Sequence, residues 1–101
     1  MTENEINRAV LYVTAATSYG RDTVAQIIRT GLAELTVLAA GSSHHFTRET
    51  LLEYVRCWTI KRTALPEPVV REVLGYAGRW LDELYDTLVP ENEGLLHSPD
   101  R

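Results

Sequence analysis

The chain has 101 residues, 45% apolar and 24% charged, with one cysteine and a net charge of −4. That length suits one domain able to bury a core unaided, and a lone cysteine excludes an internal disulfide and fits a reducing cytosol. The acidic balance excludes the overall basic footprint of a general duplex-DNA binder. The charge is nevertheless uneven. Residues 1–43 carry three Arg against four acids, residues 44–79 six Lys/Arg against four, and residues 80–101 one Arg against six.

Met1 leads into the polar run TENEIN, unlike the basic-then-apolar opening of a signal peptide, so export is not expected. Thr2 and Glu5 have the spacing of a capping box. The helix that follows should bury Ile6, Ala9, Val10, Val13, Ala16 and Thr17 and end at Gly20 as a C′ residue. Leu11, Tyr12 and Tyr19 fall off that stripe. A second helix is expected over 23–40, with Asp22 as its cap and Gly41 as its stop. Val24, Ile27, Ile28, Leu32, Leu35, Leu38 and Ala39 share one broad face, and Gly31 in its middle admits a close-packed partner helix. The back of this helix (Gln26, Thr30, Ala33, Val37 and Ala40) lacks the charges of an ordinary surface helix, which marks it as central and largely buried. Its length also suits a membrane span, but Gln26, Arg29 and Glu34 make insertion costly.

The run from Gly41 to His45 reads as a loop. Thr47 should cap a third helix over 48–62, with Phe46 stapled onto Leu51 and a buried stripe of Leu51, Leu52, Val55, Trp58 and Thr59. Cys57 and Ile60 fall on its other side. Leu65-Pro66-Glu67-Pro68 breaks this helix and opens a fourth over 67–88. There Val69, Val70, Val73, Leu74, Ala77, Trp80, Leu81, Leu84 and Leu88 oppose Arg71, Glu72, Arg79, Asp82, Glu83 and Asp86. Gly75 and Gly78 weaken the helix locally. Pro90 stops it, and 91–101 reads as an acidic, flexible tail after a single domain over 1–90. No strand or repeat is visible. The expected fold is an all-α, compact four-helix bundle.

Few residues carry a chemical signal. His44-His45 with Cys57 or His97 lacks zinc-like spacing, and Cys57 has no base fixed beside it by sequence. The acids Glu67/Glu72 and Asp82/Glu83/Asp86 lie on a charged helix back. Gly75-Tyr76-Ala77-Gly78 sits inside a helix and cradles no phosphate. No catalytic, cofactor or metal residue is therefore assigned. A helix-turn-helix using 48–62 suffers from a connection longer than the usual tight turn. Arg56, Lys61 and Arg62 with Tyr54 do match the cation-and-ring composition of single-strand binders. Arg8, Tyr12 and Tyr19 form a second off-core stripe of residue types favoured at protein interfaces.

In size, acidity and lack of catalytic apparatus, the whole chain resembles the anti-CRISPR proteins, small compact proteins that phages and mobile elements use against bacterial defence. That resemblance implies a monomeric cytoplasmic inhibitor that directly blocks a Cas ribonucleoprotein, through its protein subunits or its exposed nucleic acid. Two alternatives stay open: a nucleic-acid-binding regulator using the 48–62 helix, and an assembly subunit whose helix faces complete their burial in an oligomer. None of the three calls for a membrane or a small-molecule substrate.

Overall fold

The computed structural model describes residues 1–42 and 46–89, and these are all-helical, with no strand. Five helices follow one another: α1 (Glu3–Ala16), α2 (Arg21–Ser42), α3 (Arg48–Thr63), α4 (Glu67–Tyr76) and α5 (Gly78–Leu88). The loop histidines His44 and His45 and the tail 91–101 with His97 lie outside the described residues.

Helix α2 is the common wall of the domain, packing against each of the other four. Its face of Val24, Ile27, Ile28 and Leu35 is wholly buried, together with Val13 of α1, Leu51 and Val55 of α3, and Val70 and Val73 of α4. Gly31 performs the service its position suggests. A methyl group there would come within 2.9 Å of Leu74 Cδ2, so its absence lets α4 approach the α2 backbone. Over Arg21–Gly41 the mean hydropathy of 1.2 reaches that of a membrane-crossing segment, yet four helices cover the apolar face. Burial is one-sided, contrary to expectation. Gln26, Ala33, Thr36, Val37 and Ala40 face solvent, with Val37 66% exposed.

The capping box forms as expected: Glu5 N–H donates to the Thr2 hydroxyl at 3.2 Å, and Thr2 N–H to Glu5 Oε1 at 3.0 Å. Helix α1 then stops at Ala16, short of Gly20. Val13 O accepts the closing helical bond from Thr17 N–H at 3.0 Å and the Thr17 hydroxyl at 2.8 Å, and that hydroxyl accepts from Tyr19 N–H at 3.4 Å, so a side chain takes a donor that would continue the helix. Gly20 has no positive φ; its carbonyl instead accepts the first bond of α2, from Val24 N–H at 3.0 Å. Asp22 is therefore inside the first turn, where its charge meets the positive helix end, and Gly41 is helical. Thr47 caps α3 through Thr50 N–H at 3.2 Å. The left-handed closing residue is Ala64, at φ 57°.

The expected helix over 67–88 is two helices. Ala77 leaves the α region (φ −89°, ψ 10°), and its buried methyl marks the bend. Gly75 and Gly78 flank it with open space where a Cβ would stand, so no side-chain packing holds the backbone straight. Both halves then rest on α2.

Candidate partner-binding site

Helix α3 packs on α2 along one side and on α4 along the next, which buries a wide arc of its circumference. Leu51, Val55 and Thr59 are buried, and Leu52 and Ile60 half-buried. The remaining arc presents Tyr54, Cys57, Trp58 and Lys61, at i, i+3, i+4 and i+7, all exposed. Trp58 thus stands at the margin of the expected stripe and is 39% exposed. Lys61 Nζ lies 5.3 Å and Arg62 Cζ 5.4 Å from its ring centroid, which places two cations against one indole. At the other end of the arc Tyr54 meets Phe46 edge-on, with ring centroids 5.2 Å apart.

The cations named from the sequence separate. Arg62 pairs with Glu34, a carboxylate of α2 that is only 8% exposed. Burying that charge is tolerable because the guanidinium meets it. Arg56 turns to Glu53 at 3.1 Å, away from the indole. Glu53 also accepts from Arg71 of α4 at 2.7 and 3.1 Å, and Arg71 reaches Glu67 at 2.7 Å. These bonds, Arg71 first, hold the Glu53 carboxyl well down, at about 2. Arg48 bonds Asp86 at 2.7 Å and covers the ring of buried Tyr85, fastening the start of α3 to α5. Cys57 Sγ lies 3.7 Å from Glu53 Oε2. Among the described residues no three His, Cys, Asp or Glu side chains group as a metal site.

Arg8 and Tyr12 sit together on the exposed face of α1. Tyr19 leaves them: half-buried, its hydroxyl donates to Glu72 Oε1 at 2.7 Å, tying the α1–α2 connection to α4 and raising the Tyr19 pKa. Sequence reasoning missed the central indole of α3, because periodicity alone places Trp58 beside Val55 and Leu51. Its signal was the pair of cations three and four residues ahead.

No protein-family model matches the chain, and no curated protein or solved structure is significantly similar to it.

Proposed function

We propose that the chain is a non-catalytic binding protein that docks on a macromolecular partner through the Tyr54–Trp58–Lys61 face of α3, and that the partner surface is protein. One observation carries this reading: a half-exposed tryptophan with two cations close to its ring, on a helix whose other side is packed into the core. Tryptophan, tyrosine and arginine dominate the energetics of protein interfaces, because a rigid ring gains much contact at little entropic cost.

The paired cations argue against a phosphate groove. Within the segment of positive surplus, Arg48, Arg56, Arg62 and Arg71 each already meet a carboxylate of the chain. Lys61 is the α3 cation left without one among the described residues. One or two phosphate contacts would give a salt dependence of about one power of the salt concentration, far below that of a dedicated nucleic-acid binder.

The action is inhibition by occupancy in the cytoplasm. The resemblance to anti-CRISPR proteins supplies the partner class, a Cas ribonucleoprotein complex whose protein surface the α3 face would cover. The exposed uncharged back of α2, Val37 above all, supports a second reading as an assembly subunit. Capture of the tagged chain from its host, with and without nuclease treatment, tests both. The inhibitor reading expects a protein complex retained after nuclease. Loss of every partner on nuclease treatment would overturn it, and recovery of this chain alone as a defined oligomer would favour the assembly subunit.

A further inference from the structure

A second cluster of rings and cations lies where α1 meets α5. Leu11 and Tyr12 are 52% and 54% exposed, the largest adjacent pair of apolar side chains left in solvent on α1. The Tyr12 ring leans on buried Trp80, centroids 5.6 Å apart at 49°. Arg79 lays its guanidinium on the same indole, 4.8 Å from the centroid. Arg8, one turn before Tyr12, completes the face on α1. Five arginines of the described residues (Arg29, Arg48, Arg56, Arg62 and Arg71) are matched by carboxylates of the chain. Arg8, Arg21 and Arg79 have no carboxylate within ion-pair distance among the described residues, and of these three Arg8 and Arg79 belong to the Tyr12–Trp80 cluster. In a chain of net charge −4, acids are not scarce.

We infer that this face is a second docking site, for a short segment of a partner protein that carries a carboxylate beside an apolar side chain. Arg79 already rests over the Trp80 ring, so less of its freedom is lost on ordering, and a guanidinium receives a carboxylate through two parallel hydrogen bonds. The apolar neighbour covers Leu11 and the free part of the Tyr12 ring. A nucleic-acid strand fits less well, since two cations gather little phosphate and Leu11 offers a base neither a flat ring nor a hydrogen bond. The site shares no residue with the Trp58 face and stands whether or not that face binds.

Selection of displayed random dodecapeptides on the immobilised full chain, with counter-selection on Arg8→Glu/Arg79→Glu, provides the probe. Enriched peptides should carry Asp or Glu next to Leu, Ile or Phe. A synthetic copy of the best one should lose about tenfold or more in affinity with Tyr12→Ala or with the charge reversal. Arg79→Gln should lose less than Arg79→Glu, and Trp58→Ala should change nothing. Unaltered melting of each variant establishes that the loss is local. Enriched peptides without an acidic bias, or binding that survives the charge reversal, would overturn the inference. So would an oligothymidine that binds through Arg8 and Arg79 and displaces the peptide, which would make the face a nucleic-acid site.

Discussion

Gly31 and Gly75 both lie in helices and answer opposite demands. At Gly31 any side chain runs into Leu74, itself buried, so Gly31→Val should destabilise by about 1–3 kcal/mol through overpacking. At Gly75 a Cβ meets open space and φ is not positive, so Gly75→Ala should stabilise by about 0.4–1 kcal/mol. Denaturant midpoints read both, and a shared sign would contradict the stated packing. Glu53 gives a pH test. Its carboxyl is held below its ordinary value of 4.5, to about 2, so it binds protons less readily folded than unfolded. Its contribution is therefore complete above about pH 4.5 and is lost as pH falls toward 2. The carboxylate is half exposed, so the contribution is under about 1 kcal/mol, and salt should reduce it. Glu53→Gln should flatten stability against pH across that window, and an unchanged slope would remove Glu53 from the acid response.

At the scale of helices, the features legible in the sequence are those decided within a few residues. The capping box of Thr2 and Glu5, the Thr47 cap and the inward stripe of α2 depend on local geometry and period, and all form. Features decided by the neighbours were not legible. Whether Trp58 is core or surface depends on α4 covering one flank of α3 while, among the described residues, no helix covers the flank that holds Tyr54. Arg56 and Arg62 read as a basic patch until Glu53 and Glu34 are brought beside them, one of those from another helix. The bend at Ala77 was half visible, since its two glycines stand in the sequence, but only packing of both halves on α2 makes the bend useful. Trp58→Ala should accordingly cost far less stability than a core truncation, about 1 kcal/mol or less. A loss as large as that of a buried aromatic, about 3–5 kcal/mol, would return Trp58 to the core.

For the molecule as a whole, one core shared through α2 implies one cooperative unit. Leu35 is fully buried at the middle of that helix, and Leu35→Ala should cost about 2–5 kcal/mol and lower the melting of all five helices together. Loss of one helix alone in circular dichroism would contradict a single core. The exposed arc of α3 is the surface proposed to hold the partner. Its most direct test is quantitative recovery of the captured host complex by the wild-type chain and by Trp58→Ala/Lys61→Glu, both confirmed to melt normally. The double variant should recover less than about a tenth of the complex, as expected when a central tryptophan anchor is removed from an interface. Equal recovery by the two proteins would contradict it.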